Sequence, residues 1–211
     1  MKIDQPKISN ELTTKSFQDI FYEEDPHLSY GLVSESSFDS EDMDRVHLNN
    51  MMIKNSTFQN TIFTNINITD VHFENCDFSN ADLTSASIHR ATFKNCKLLG
   101  VKFTESSFGN VSFKGSVLTL CEFGHSKLKQ VIFESSLLKN ADFYDCKLTK
   151  IKYEQCNIDG ASFDRTPLKG IDISRSEFET ITVSIEELKG CIVSTHQAMM
   201  FATLMGLVIK E

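Results

Sequence analysis

Ala81-Asp82-Leu83-Thr84-Ser85 and Ala141-Asp142-Phe143-Tyr144-Asp145 are two copies of one five-residue pattern: small, polar, large apolar, polar, corner. Working outward from them, the pattern fills most of the chain. Every residue whose number ends in 3 or 8, from Leu28 to Val193, is apolar, 34 positions of 34, and 14 of the 17 Phe residues are among them. With only 40% apolar residues overall, chance does not produce this. An amphipathic helix steps at three, four and seven, and a half-buried strand at two. A strict five fits neither, so the backbone must turn a corner every five residues.

Two residues before each apolar centre, small side chains recur: Ala81, Ala86, Ala91, Ser106, Ser116, Ser126, Ala141 and Ala161. Two residues after it stand Asn60, Asn65, Asn75, Asn80, Asn95, Gly100, Asn110, Gly115, Asn140, Gly160 and Gly170. Asn and Gly tolerate the left-handed backbone of a tight corner. These residues resemble the pentapeptide-repeat family, whose consensus is A(D/N)Lxx, and the resemblance spans residues 28–193. It implies an all-β solenoid: a right-handed, quadrilateral parallel β-helix with four pentapeptides per coil. That makes about eight coils, and at ~4.8 Å per rung a rod on the order of 40 Å long. Sorted by a 20-residue coil, Phe63, Leu83, Phe103, Phe123, Phe143 and Phe163 form one column. Phe73, Phe93, Phe113, Phe133 and Tyr153 form the opposite one, with smaller aliphatic centres between them. Such columns would fill the interior without a channel.

All six cysteines, Cys76, Cys96, Cys121, Cys146, Cys156 and Cys191, fall in the small inward slot. They read as small buried apolar residues. No CxxC occurs, and the histidines His27, His47, His72, His89, His125 and His196 share neither a column nor a metal-ligand spacing. Neither metal nor cofactor is expected, and no nucleophile motif or phosphate loop points to catalysis. Net charge is −8, which opposes direct binding to nucleic acid. No apolar run reaches ~18 residues, the length of a membrane span. The opening MKIDQPKISN lacks the apolar core of a secretory signal, so the expected location is the cytoplasm.

Three segments follow: a capping segment at 1–27, the repeats at 28–193, and a closing segment at 194–211. In the first, Phe17, Ile20 and Phe21 lie at helical spacing within the polar stretch Asn10 to Glu24. This predicts either a short helix over the first coil or an irregular early coil. In the last, Ser194 and Gln197 form a capping box. A helix then starts whose residues are apolar almost all round, Gly206 stops it, and Leu207-Val208-Ile209 reads as a closing strand. A helix with no polar face must bury both sides. One covers the last coil; the other, with Met199, Met200, Phe201, Leu204, Met205 and Leu207, is the expected homodimer interface.

The run from Leu188-Lys189-Gly190 through His196-Gln197-Ala198 to Leu204-Met205-Gly206-Leu207-Val208 resembles the C-terminus of the Qnr and MfpA proteins, and most of all the chromosomal Qnr type of Gram-positive bacteria. That resemblance implies a head-to-head dimer. It also implies binding to DNA gyrase and topoisomerase IV, which such proteins protect from fluoroquinolones. Plasmid-type Qnr proteins carry loops on their coils. Here the five-residue register never slips, a departure that brings the chain nearer to MfpA.

Outward charges are unevenly shared. The face containing residues 41–45, 61–65 and so on carries nine acids and three bases. The face before it, 36–40, 56–60 and so on, is net −3, and the face after it is net +4 with Lys127, Lys129, Lys147 and Lys150. The fourth face is near neutrality. Asp82, Glu105, Glu122, Asp142, Asp145 and Asp164 form an acidic stripe that reads as a partner surface. The family resemblance implies that such a stripe imitates duplex phosphates, and two rods end to end would span roughly 20–25 base pairs at ~3.4 Å each. The competing reading is an interaction scaffold with no topoisomerase target.

Overall fold

The computed structural model describes residues 1–22 and 25–210. Its geometry starts at the corners. Every fifth residue from Tyr30 to Gly170 has positive φ, without exception. Asn and Gly were the expected occupants, yet Glu35, Arg45, Gln130 and Lys150 adopt the same conformation. A left-handed residue other than Gly costs on the order of 1–2 kcal/mol. It is held because each corner is clamped by the rungs above and below.

Between corners the chain is extended. After a short β1 (Thr13–Thr14) come β2 (His27–Ser34), β3 (His47–Lys54), β4 (Asn67–Glu74), β5 (Ser87–Lys94), β6 (Ser107–Lys114), β7 (Lys127–Glu134) and β8 (Lys147–Glu154). They form one parallel sheet in sequential order. Each of β2 to β8 bends round a corner and so supplies two sides of a coil: β4 carries Ile68, the corner Asp70, and Phe73. The register from coil to coil is 20 residues throughout, as in Ile68↔Ile88 and Phe73↔Phe93. The other two sides are joined by single bridges in the same register, such as Thr57↔Asp77 and Asp82↔Lys102. Seven rungs of strand are followed by a looser last coil, closed by the bridge Asp172↔Ile192. The sequence register persists there, but the corner geometry does not. Arg175, Thr180 and Ile185 are absent from the left-handed set, and the centres Phe178, Val183, Leu188 and Val193 are only half-buried.

The interior is an aromatic ladder. Phe123 stacks on Phe143 with ring centroids 4.7 Å apart and planes 1° from parallel. In the opposite column Phe113 stacks on Phe133 at 5.2 Å and 6°. The two columns meet edge to face, as in Phe123 against Phe133 at 6.3 Å and 83°, the arrangement that ring quadrupoles favour. Tyr153 ends one column with a buried hydroxyl that finds no partner in the protein.

The small slot does more than save space. Ser126 is buried, its Oγ donates to Phe103 O at 2.7 Å, and it accepts from the Ser106 N–H at 2.8 Å. Ser116, Ser136, Cys121 and Cys146 likewise donate to a backbone carbonyl of the preceding coil. Buried hydroxyls and thiols thus tie adjacent rungs together. The cysteines are unpaired, and five are buried. Burial pushes the Cys146 thiol up to about 12 and the half-buried Cys191 to about 11, so both stay protonated and structural.

Both ends are covered. At the start, a 3-10 helix (Phe17–Tyr22) lays Phe17 and Ile20 over the open coil, and Phe17 meets Phe38 at 4.6 Å and Phe58 at 4.8 Å. Glu23 and Glu24, the end of the expected helical stretch, lie outside the described residues. At the other end α1 (Thr195–Ala202) begins with the capping box, Ser194 Oγ accepting from Gln197 N–H and Gln197 Oε1 from Ser194 N–H. Gly206 stops the following turn at φ 73. The expected strand at Leu207-Val208-Ile209 is not formed: these residues are exposed coil, because no sheet edge lies beside them.

Candidate interaction surface

The 20-residue register decides which outward side chains become neighbours. Asp42, Ile62, Asp82, Lys102, Glu122, Asp142 and Ser162 follow one another up a single column of bridges. All six carboxylates singled out in the sequence belong to this face, but they do not form an even stripe. Ile62 and Lys102 interrupt it, and Lys102 Nζ stands 3.9 Å from Asp82. Asp82 accepts from the Thr84 backbone and hydroxyl at 3.0 and 2.6 Å. Asp142 accepts from the Tyr144 N–H at 3.2 Å, and Asp145 lies 3.2 Å from His125 Nδ1. Glu105, Glu122 and Asp164 are exposed, with no ion pair among the described residues. Asp42, at the base of the face, is likewise exposed without an ion pair among the described residues, and the longest run of such carboxylates spans Glu105 to Asp164.

The neutral face shows what balanced charge looks like on this scaffold. Glu74 sits between Lys54 at 3.2 Å and Lys94 at 2.6 Å, and Lys114 meets Glu134 at 3.0 Å. Lys152 and Arg175 both reach Glu154. The basic face has no such ladder: Lys127, Lys129, Lys147 and Lys150 are exposed and form no ion pair among the described residues. No group of His, Cys, Asp or Glu is arranged to hold a metal among the described residues. No described helix is long and apolar enough to cross a membrane.

Sequence reasoning missed one feature of this surface. The first nine residues do not stay at the open end. They run as a strap along the corner between the basic and neutral faces. Asn50 Oδ1 accepts from Ser9 N–H at 2.8 Å, Asp70 Oδ1 from Lys7 N–H at 2.8 Å, and Asn110 Oδ1 from Asp4 N–H at 3.0 Å. Ile3 is buried. The available signal was Asp70 and Arg90, a charged pair one coil apart at corners where Asn, Gly or Ser is usual.

Asp70 receives two hydrogen bonds from the Arg90 guanidinium, both at 2.6 Å. That contact, with the Lys7 amide, outweighs burial and holds its carboxyl below the ordinary 3.8. A carboxylate with a depressed folded pKa stabilises fully above its unfolded pKa, and the contribution is lost as pH falls through the folded value. Amide exchange is therefore expected to show Lys7 protected near neutrality and deprotected between pH 3.8 and Asp70's lowered value. Protection factors for Lys7 that stay unchanged as pH is lowered from neutrality through and well below 3.8 would refute this account of the strap.

The C-terminal surface is apolar. Gln197 is buried and donates to Ile173 O at 2.9 Å and Ser176 O at 2.8 Å, which plugs the last coil. Phe201 is half-buried against Phe178 at 5.7 Å, and Met200 is also half-buried. Met199, Leu204, Met205 and Leu207 face outward, with Val208 89% exposed beside them. A groove of about 350 Å³ runs between the helix and the last coil, lined by Ile185, Leu188, Val193, Ala198 and Met205.

Comparison with known proteins agrees with this architecture. A model of the pentapeptide repeat region matches residues 86–163, and one of eight pentapeptide repeats matches residues 61–100. Residues 61–163 are thus pentapeptide repeats, and the fold is a pentapeptide-repeat β-helix. The chain's fold is like that of QnrB1, a plasmid-mediated fluoroquinolone resistance protein. A trypsin-treated form of QnrB1 superimposes with a TM-score of 0.51 at 17% identity, covering 87% of this chain and 93% of that one. A second trypsin-treated QnrB1 gives 0.43 at 15% identity, over 86% and 91% of the two chains. HetL, a pentapeptide-repeat protein involved in heterocyst differentiation regulation in the cyanobacterium Nostoc, gives 0.28 at 12%, over 79% and 89%. No curated protein matches significantly.

Proposed function

We propose that this protein binds DNA gyrase or topoisomerase IV where duplex DNA would lie, and so protects the enzyme from fluoroquinolones. The observation that carries the reading is the exposed, unpaired group Glu105, Glu122 and Asp164, with Asp142 and Asp145 between them, on a rigid rod. On the neutral face, by contrast, Glu74 and Glu134 are paired with lysines one rung away. A groove built to hold phosphates is basic and accepts a carboxylate array of this kind. The Qnr-like fold supports the same partner. The function asks for no catalytic residue and no cofactor, since occupancy of the groove is sufficient. In this reading the protein acts as a homodimer joined through Met199, Leu204, Met205 and Leu207, which extends the acidic surface to about twice the length of one rod.

The test is gyrase supercoiling poisoned with a fluoroquinolone and titrated with this protein. Wild type is expected to restore supercoiling. A chain with Glu122, Asp142 and Asp145 changed to Lys is expected to fail while keeping its fold, because all three side chains point outward. If wild type changes nothing with or without drug, the topoisomerase reading is wrong and a scaffold role takes its place.

A further inference from the structure

One corner of the rod carries an aliphatic side chain where its column otherwise holds Ser, Asn and Gly. The column between the net −3 face and the acidic face runs Ser40, Asn60, Asn80, Gly100, Leu120, Asn140 and Gly160, all with positive φ. Leu120, at φ 60, is the only aliphatic residue in a left-handed corner among the described residues. It is also 53% exposed. A branched side chain is strained there, whereas Asn and Gly are not, and the exposed part gains nothing from the chain's own core. Beside it the middle of the net −3 face is apolar. Val117 and Leu137 are bridged on adjacent rungs, Leu137 is 44% exposed, and Leu99 is half-buried nearby.

We propose that this patch, centred on Leu120 and Leu137, is the apolar anchor of the partner surface, and that its occupant is a basic protein surface offering an apolar recess. Charge selects that occupant. Glu122 follows Leu120 by two residues and is bridged to Asp142 on the next rung, so the patch borders the unneutralised carboxylates. The cations at its edge are Lys97, held by Asp77 at 3.2 Å, Lys102, facing Asp82 at 3.9 Å, and Lys139. The inference rests on the proposed function and deepens it. Carboxylates alone would reproduce only what DNA offers, a contact that weakens steeply with salt. An apolar insertion adds affinity that salt does not screen, and gives a short rod a means of competing with DNA.

The experiment is a titration of gyrase holoenzyme with labelled protein across a salt series. Leu120→Asn is expected to weaken binding about tenfold at every salt concentration, leaving the slope against salt unchanged. Glu122→Gln is expected to flatten the slope. Because Asn suits the left-handed corner, Leu120→Asn should also raise Tm by roughly 2–4 °C, which separates lost binding from misfolding. Leu137→Ser, away from the corner, should weaken binding in the same salt-independent way. Binding of Leu120→Asn within twofold of wild type at all salts overturns the anchor and leaves the acidic-face reading standing. A lowered Tm for Leu120→Asn overturns it too, by making Leu120 a structural residue. A wild-type chain that does not bind gyrase at all overturns both.

Discussion

Phe123→Ala is expected to cost about 3–5 kcal/mol and to lower Tm by roughly 6–20 °C, at ~2–4 °C per kcal/mol for a chain of this size. Phe123 is fully buried. It stacks between Phe103 at 5.2 Å and Phe143 at 4.7 Å, and meets Phe108 at 5.8 Å and Phe133 at 6.3 Å. No neighbour can collapse into the space, since each is pinned by its own ring stack and by rung hydrogen bonds. Coils in a solenoid couple only to their neighbours, so a gap in mid-rod also weakens the cooperativity between the two halves. Calorimetry should show a broadened or split transition. The same change at half-buried Phe178, in the loose last coil, should cost less and leave a single transition. A Phe123→Ala loss no greater than that of Phe178→Ala would show that the rod does not depend on its aromatic ladder.

The second large effect concerns self-association. Wild type is expected to sediment as a dimer at micromolar concentration, and a chain carrying Leu204→Glu and Leu207→Glu as a monomer. Leu204 and Leu207 are 47% and 54% exposed. The helix is tied to its own coil by Ser194 and by the two hydrogen bonds of Gln197, not by these residues. The variant should therefore keep its coils. It would lose the concentration dependence of Tm that marks a folded dimer. Two buried glutamates would have to be desolvated or protonated for association to persist. A wild-type monomer over the same concentration range would remove the dimer from the proposal.

Much of the fold was legible because one constraint is repeated so often. A five-residue period leaves no other backbone, and the columns Phe103–Phe123–Phe143 and Phe93–Phe113–Phe133 follow from counting by twenty. The capping box at Ser194 and Gln197 was legible because it is local. What counting could not reveal depends on pairings outside the period. Asp4 meets Asn110 across 106 residues, and nothing in the strap's own residues names that partner. Leu207-Val208-Ile209 has strand propensity but no edge to join. Buried serines were recognised as small, yet their second role, donating to a carbonyl 23 residues earlier, needs the coil diameter. The acidic face could be assigned by arithmetic. Which carboxylates are already occupied, as Asp82 is by Thr84, could not. Leu120 drew no notice among the corner residues, because its meaning depends on Leu137 being one rung away.

The strap also sets an order of events during synthesis. Chains emerge from the ribosome N-terminus first, so residues 1–9 appear before anything they can bind. Asn50 becomes available early and Asp70 after it, but the acceptor for Asp4 is Asn110, in β6. Asp4 must therefore wait, undocked, until about half of the tower behind it has been wound. The strap zips upward coil by coil as each new corner is presented. A segment made before its acceptors thus settles only once the winding has passed Asn110, and its docking marks how far the winding has gone.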